Sequence, residues 1–187
     1  MSQPWNRRDF CRTAIAGAAA LTLAPQSAHA SLQWRFFTDA EGRLVGAIVE
    51  QIIPTDQDPG ARDAGVVNYI DKQLAGFFRR HAETYRLCLI GVQQTSRALF
   101  KNDFEALGWD DQTAVLKALE SGQVKEAAWK NQSSRGFFEM IRQHTMQGFY
   151  GSPRHGGNKG FASFKMIGLD VPPIIGQNRY RKDEPWL

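Results

Sequence analysis

The sequence contains little cysteine: Cys11 and Cys88 are the only two in 187 residues. They cannot form the Cys-x-x-Cys-His site of a c-type haem or the cysteine cluster of an iron–sulfur centre. The chain also lacks a glycine-rich dinucleotide fingerprint between a strand and a helix, and a Gly-x-Ser-x-Gly nucleophile elbow. It therefore offers no obvious cofactor site or catalytic motif of its own.

A strong charge of either sign is also missing. The chain has 23 basic and 19 acidic residues, which gives a formal net charge of +4 at neutral pH. It has no run of basic residues interleaved with aromatic ones, which is the usual signature of a nucleic-acid surface. We therefore expect no nucleic-acid partner.

No stretch of convincing length alternates apolar and polar residues, so the sequence does not predict a β-strand. Apolar residues instead recur at three- and four-residue spacing, which is typical of amphipathic helices. Thr38-Asp39-Ala40-Glu41 has the spacing of a capping box, Pro54 and Gly122 are stop signals, and Asp110 is a candidate N-cap. The predicted helices cover residues 38–53, 63–80, 83–100, 110–122 and 124–129, and a last one begins at Ser133 or Ser134.

We predict an all-α fold of five or six helices, packed as an irregular bundle and closed by a glycine-rich C-terminal loop. The length and a hydrophobic content of 42% support one domain with a core. The apolar stripes place Phe77 and Phe78 on the core side of the second helix and Leu99 on that of the third. Cys88 lies on the same stripe as Leu99, where a buried, inert thiol is the default and an intermolecular disulfide is the alternative.

The N-terminus carries an export signal. The segment Asn6-Arg7-Arg8-Asp9-Phe10-Cys11-Arg12 resembles the twin-arginine motif, with Arg7, Arg8 and Phe10 at its defining positions. An apolar run from Thr13 to Ala24 follows, and it is too short for an ordinary membrane-spanning helix. This route carries folded proteins, which normally hold a cofactor. Because this chain has no obvious cofactor site, we expect a partner to travel with it.

A small-residue cleavage site follows the apolar run at Ala28 and Ala30. Cleavage after Ala30 would leave Ser31 as the new N-terminus. We therefore predict a twin-arginine signal peptide over residues 1–30 and a single helical domain over residues 31–187.

The segment from His144 to Asp170 combines six glycines with aromatic and basic residues. Glycine at this density costs too much backbone entropy for a regular helix, so we predict a shaped loop. Aromatic side chains suited to a core lie beside charged ones, and we expect the loop to fold over the domain edge and present a surface. The alternative is a structured loop that only closes the fold.

Part of this segment, GFYGSPRHGGNKGFASFKMIGLD, resembles the C-terminal signature of the gluconate 2-dehydrogenase subunit 3 family. A second block, IIPTDQDPGARDAGVVNYID from Ile52 to Asp71, also looks like this family. Phe164 stands where the family more often has tryptophan. The residues that match the signature are Gly148, Phe149, Tyr150, Gly156, Gly157, Asn158, Phe164, Lys165, Ile167 and Gly168.

The resemblance implies a non-catalytic small subunit of a membrane-associated dehydrogenase complex in the periplasm. In such a complex, a flavoprotein of the glucose-methanol-choline type holds FAD and oxidises a sugar, sugar acid or polyol. A cytochrome c subunit with haem c then passes the electrons to the membrane. The small subunit brings the signal read by the twin-arginine translocase, and it escorts and stabilises the folded flavoprotein. The complex would sit at the outer face of the inner membrane.

The residues expected to contact the flavoprotein lie in the glycine-rich segment, where aromatic and basic side chains would anchor a large interface. Replacing Gly157 with a β-branched residue should weaken assembly if that position needs a positive φ angle. The proline-rich tail after Asp170 is either an arm that docks on a partner or a frayed end. The candidate interface residues are Phe149, Tyr150, Arg154, His155, Gly156, Gly157, Asn158, Phe161, Phe164 and Lys165.

A different interpretation is a self-sufficient periplasmic enzyme or metal-binding protein. His144 and His155, together with Asn158, would line a small polar site, and Asp56 would add a carboxylate. Surface or capping histidines are the simpler explanation of this pattern. Turn chemistry likewise explains Asp56 and Asp58 at least as well as a metal loop does.

Overall fold

The computed structural model describes residues 34–125 and 127–169, without the side chain of Ala128. The predicted export signal with Arg7, Arg8 and Phe10 lies outside the described residues. So do the cleavage site at Ala28, Ala30 and Ser31, and the tail from Asp170 onwards.

The described residues form six α-helices and contain no strand, which confirms the all-α prediction. None of these helices is both long enough and apolar enough to cross a membrane. Short 3-10 turns link the helices at Arg79–His81, Phe104–Ala106, Ala127–Trp129, Pro153–His155 and Lys159–Phe161. The helices are α1 (Asp39–Ile52), α2 (Val66–Ala75), α3 (Ala82–Phe100), α4 (Trp109–Ser121), α5 (Ser134–Tyr150) and α6 (Ala162–Met166).

Helix α1 begins at the predicted capping box. The Thr38 side chain accepts a hydrogen bond from the Glu41 amide at 3.2 Å, and the Glu41 carboxylate accepts one from the Thr38 amide at 2.8 Å. Each bond satisfies an amide that the first helical turn leaves without a partner. Val45, Ile48 and Val49 along the helix are fully buried, so its capping and its apolar stripe agree.

Helix α2 is shorter than the predicted 63–80 span. It ends at Ala75 because Gly76 leaves helical geometry, with φ −127° and ψ −107°. The apolar stripe therefore stops there, and Phe77 is 78% exposed rather than part of the core. The sequence-based placement of Leu99 in the core is also wrong, since that side chain is 51% exposed on the last turn of α3.

Helix α4 begins one residue earlier than its predicted cap. Gly108 is the N-cap, without a side-chain hydrogen bond, and Asp110 lies inside the first turn. There its negative charge interacts favourably with the positive end of the helix dipole. Asp110 therefore stabilises the start of α4 through its charge rather than as the N-cap. The predicted stop at Gly122 is confirmed, with a left-handed φ of 72°.

Helix α5 packs against all four of the other long helices and is central to the core. Ser133 is its N-cap, and the hydroxyl accepts a hydrogen bond from the Gly136 amide at 2.9 Å. Its side chains Phe137 and Ile141 are buried, and the ring of Phe137 meets Tyr85 of α3 edge to face at 5.5 Å. Because α5 is packed against four helices, its position is fixed, and it provides a rigid support for the segment that follows it in the chain.

Cys88 of α3 is fully buried. Burial raises the pKa of its thiol to about 12, so the thiol stays protonated at neutral pH. A protonated, inaccessible thiol is a poor nucleophile, which favours the inert core cysteine over an intermolecular disulfide.

Asp71 of α2 holds the segment that precedes α1. Its carboxylate is 1% exposed and accepts hydrogen bonds from the backbone amides of Arg35, Phe36 and Phe37 at 2.8, 2.9 and 3.0 Å. A buried carboxylate is tolerated only when such donors replace water. Asp71 therefore fixes where the chain enters the bundle.

We predict that Asp71→Asn destabilises the domain by about 1–3 kcal/mol, because an amide accepts with one oxygen and leaves a buried amide without its partner. Urea unfolding followed by circular dichroism measures the change. Asp63→Asn is the control, since Asp63 is exposed on the same stretch of chain. Equal midpoints for the two variants would show that the Asp71 bonds add nothing to stability.

Candidate partner interface

The first part of the glycine-rich segment is helical. His144 to Tyr150 form the last turns of α5, so the predicted loop begins only at Gly151. From there to Leu169 the chain makes two 3-10 turns and the short helix α6. Glycine density misled the prediction because only Gly148 falls within those helical turns, and tertiary packing requires a glycine at that position.

Two glycines, Gly148 and Gly157, allow close packing between the end of α5, the Tyr69 side chain and the loop that follows α5. A Cβ atom on Gly148 would lie 2.8 Å from Cδ1 of Tyr69, and one on Gly157 would lie 2.1 Å from the Gly148 carbonyl oxygen. No side chain fits at either position without displacing its neighbour. Gly157 does not have a positive φ angle, whereas the preceding residue, Gly156, does, with φ 100°.

Asn158 holds the turn that follows. It is fully buried and adopts a left-handed conformation, with φ 46°. Its side-chain amide donates to the Gly151 carbonyl at 2.9 Å, and its side-chain oxygen accepts from the Ser163 amide at 2.9 Å. Asparagine tolerates this conformation better than most residues and supplies both hydrogen-bonding groups. Asn158 therefore stabilises the fold of the segment itself.

The segment is fastened to the start of α2. The Lys159 amide donates to the Ala64 carbonyl at 2.9 Å, and the Asn68 side chain donates to the Gly156 carbonyl at 2.7 Å. These bonds join the two sequence blocks that carry the family resemblance, although 88 residues separate Asn68 from Gly156. The two blocks are one structural unit.

The ten candidate interface residues divide by burial. Phe149, Gly157 and Asn158 are buried, so their inclusion in a contact surface is corrected: they hold the segment in place from inside. Gly156, Phe161 and Phe164 are half-buried, and the two phenylalanine rings stack at 6.2 Å. The exposed candidates are Tyr150, Arg154, His155 and Lys165.

The structure adds apolar residues that the sequence analysis did not select. Met146, Met166, Ile167 and Leu169 are between 40% and 69% exposed. They were missed because they follow no helical stripe that separates a buried face from a solvated one. We call the exposed residues of this segment the C-terminal face: Met146, Tyr150, Arg154, His155, Lys159, Lys165, Met166, Ile167 and Leu169.

The charge of the C-terminal face has one sign. The sequence from Met140 to Leu169 contains no aspartate or glutamate, while Arg154, Lys159 and Lys165 are exposed there. This mixture of exposed apolar and basic side chains is typical of a contact surface. The apolar groups gain free energy when a partner buries them, and the positive charges favour an acidic partner.

His144, His155 and Asp56, which were candidates for a metal or enzyme site, lie in different surroundings. His144 is buried, with its ring parallel to Phe78 at 4.4 Å and its Nδ1 hydrogen-bonded to the Tyr85 hydroxyl at 2.8 Å. His155 is exposed, and the Asp56 carboxylate accepts from the Asp58 amide at 2.9 Å in a turn. Within residues 34–125 and 127–169 no three His, Cys, Asp or Glu residues are grouped to hold a metal ion.

Burial lowers the pKa of His144 to about 4, and the neighbouring His81 and Arg80 contribute to the shift. His144 is therefore neutral at physiological pH and serves as a core hydrogen-bonding partner of Tyr85. His155 is the surface histidine that the simpler explanation expects, whereas His144 is buried and is not one.

The described part of the chain is a helical scaffold that presents a basic, apolar face through a rigidly held segment, which is the architecture of an interaction subunit. The family model for gluconate 2-dehydrogenase subunit 3 matches residues 39–170, and the chain belongs to this family. The match includes all six helices and both sequence blocks. No curated protein and no solved structure matches the chain. The family name indicates an accessory subunit of a multisubunit gluconate 2-dehydrogenase complex.

We predict that Gly157→Ala destabilises the domain by about 1–3 kcal/mol, because the new methyl group overlaps the Gly148 carbonyl oxygen. Gly46→Ala is the control, since Gly46 lies inside α1 and a Cβ atom there would come no closer than 3.8 Å to its neighbours. Denaturant unfolding of both variants makes the comparison. If Gly157→Ala is no less stable than Gly46→Ala, the close approach does not constrain the fold.

We predict that stability falls as the pH drops from about 6.5 towards 4. His144 titrates near 6.5 in the unfolded chain and at about 4 in the folded one. Between these two pH values the unfolded chain binds a proton that the folded chain excludes. The free energy of unfolding therefore falls by up to about 1.4 kcal/mol for each unit by which the pH drops.

Urea midpoints measured from pH 7 to pH 4 test this expectation. His144→Gln keeps a hydrogen-bonding group but does not titrate, so it should flatten the profile. His155→Gln, at an exposed position, should leave the profile as in the wild type. An unchanged slope in His144→Gln would rule out the buried histidine as its source.

Proposed function

We propose that this chain is the non-catalytic small subunit of a periplasmic, flavin-dependent dehydrogenase complex, and that it escorts the folded flavoprotein through twin-arginine export. One combination of observations supports the proposal. The chain belongs to the gluconate 2-dehydrogenase subunit 3 family, and its N-terminal sequence contains Arg7-Arg8 in a segment that resembles the twin-arginine motif. An accessory subunit with an export signal for folded proteins is suited to deliver a partner.

The chemistry resides in the other subunits under this proposal. A flavoprotein of the glucose-methanol-choline type holds FAD and oxidises a sugar, sugar acid or polyol. A cytochrome c subunit with haem c then receives the electrons and passes them to the membrane. The sequence of this chain supports that division, because it contains neither a haem-attachment motif nor a dinucleotide fingerprint.

Escort through a translocase requires a complex that forms in the cytoplasm and stays together during transport. Such stability calls for a large interface with a few well-packed aromatic and arginine anchors. The C-terminal face supplies this composition, with Tyr150 49% exposed, Ile167 69% exposed and Arg154 exposed on the turn that follows α5. Its support is rigid, since Asn158 and Gly157 are packed beneath it.

Rigid support also explains how a small helical domain would assist maturation. A preformed face binds without first paying the entropy of ordering itself, so more of the contact energy goes to holding the partner in its folded state. The complex would then be located at the outer face of the inner membrane, where the cytochrome subunit connects it to the membrane.

We predict that Arg7→Lys combined with Arg8→Lys retains the flavoprotein in the cytoplasm, because the translocase reads the arginine pair as a signal. The measurement is dye-coupled dehydrogenase activity in periplasmic and cytoplasmic fractions of cells that express the whole complex. We expect the activity to move to the cytoplasm.

Arg12→Lys is the matched control, because it makes the same substitution outside the pair and should leave the distribution unchanged. Periplasmic activity that persists at the wild-type level in the double variant would refute the escort role.

A further inference from the structure

A second surface stands apart from the C-terminal face, at the end of α2. We call residues Gly76–His81 the Phe77 turn. Phe77 is 78% exposed, more than any other large apolar side chain in residues 34–125 and 127–169. A partner that covered this ring would gain the free energy of burying its apolar surface.

The backbone of the Phe77 turn is held in place. The Phe78 amide donates to the Gln73 carbonyl at 2.7 Å, and the His81 amide donates to the Phe78 carbonyl at 2.8 Å. The ring of Phe78 stacks on the buried His144 at 4.4 Å. Phe77 therefore protrudes from a backbone anchored on α2 and α5, and little backbone entropy is lost when a partner covers it.

The surroundings of Phe77 are basic. Arg79 and Arg80 are exposed in the same turn. The carboxylate before the turn, Asp71, is buried and bonded to three amides, and the next acidic residue after the turn is Glu83.

The Phe77 turn is linked to the C-terminal face through α2. A Cβ atom on Gly156 would lie 2.8 Å from Cδ of Lys72, so this lysine packs against the glycine-rich segment. Lys72 is only five residues before Phe77 on the same stretch of chain. One partner that covers the C-terminal face can therefore extend along α2 to the turn.

We propose that the Phe77 turn is a second anchor for the large subunit, in which Phe77 enters an apolar pocket whose rim carries carboxylates that pair with Arg79 and Arg80. This inference rests on the proposed function. A phenylalanine beside arginines on a rigid base has the composition of an interface hot spot. A bilayer is a poorer fit, since one protruding ring buries too little apolar surface to hold a domain on a membrane.

The test uses the full-length chain expressed with the tagged flavoprotein subunit of the proposed complex. Capture through the tag, with this chain quantified by immunoblot, reports complex formation. We expect Phe77→Ser, and separately Arg79→Glu with Arg80→Glu, to reduce capture about tenfold or more, as loss of a hot spot does.

Matched controls distinguish the effect of changing the Phe77 turn from the effect of changing exposed residues elsewhere on the surface. Leu99→Ser removes an apolar side chain that is 51% exposed on α3, and Lys117→Glu with Lys130→Glu reverses two exposed charges. We expect both controls to be captured as wild type, and all variants to melt at the wild-type temperature because every changed side chain is exposed.

The outcomes are distinguishable. Wild-type capture by Phe77→Ser, or an equal loss in Leu99→Ser, overturns the anchor while the small-subunit proposal stands. Failure of the unchanged chain to be captured overturns the small-subunit proposal itself. If the unchanged chain alone binds vesicles of phosphatidylglycerol and phosphatidylethanolamine, and Phe77→Ser does not, a bilayer occupies the turn and the pocket is refuted.

Discussion

The close approach of two backbone segments at Gly148 and Gly157 is the constraint on which the candidate interface depends. With no Cβ atom on either residue, the glycine-rich segment lies directly against the last turns of α5, and Tyr69 of α2 fills the other side of Gly148. Because α5 packs on every other long helix, the position of the segment is fixed by the whole core. A longer separation would leave Asn158 without the Gly151 carbonyl that it bonds.

Burial and exposure therefore have separate roles in one short stretch of chain. Phe149 and Asn158 are fully buried and set the path of the backbone, while Tyr150 and Lys165 face outward from it. The residues that match the family signature thus include structural residues and candidate contact residues side by side. A pattern of residue types cannot separate these roles, because both use glycine, aromatic rings and asparagine.

Local signals were predictable from the sequence and long-range ones were not. The capping box at Thr38, the Gly122 stop and the Ser133 cap depend on residues a few positions apart, so the sequence alone indicates them. The burial of His144 depends on Phe78 and Tyr85, which come from distant parts of the chain, and a sequence pattern does not bring them together. The same is true of the carboxylate of Asp71, whose three donors lie 34 to 36 residues away. Phe77 was misplaced because a single glycine at position 76 ended a stripe that appeared continuous.

The Asp71 bonds have a mechanical consequence for the described domain. A force applied at Arg35, Phe36 and Phe37 would be divided among three hydrogen bonds and passed into α2. From α2 the force would reach α5 through Tyr69 and the glycine-rich segment through Asn68. The same helix therefore connects the point where the chain enters the domain to both of these elements.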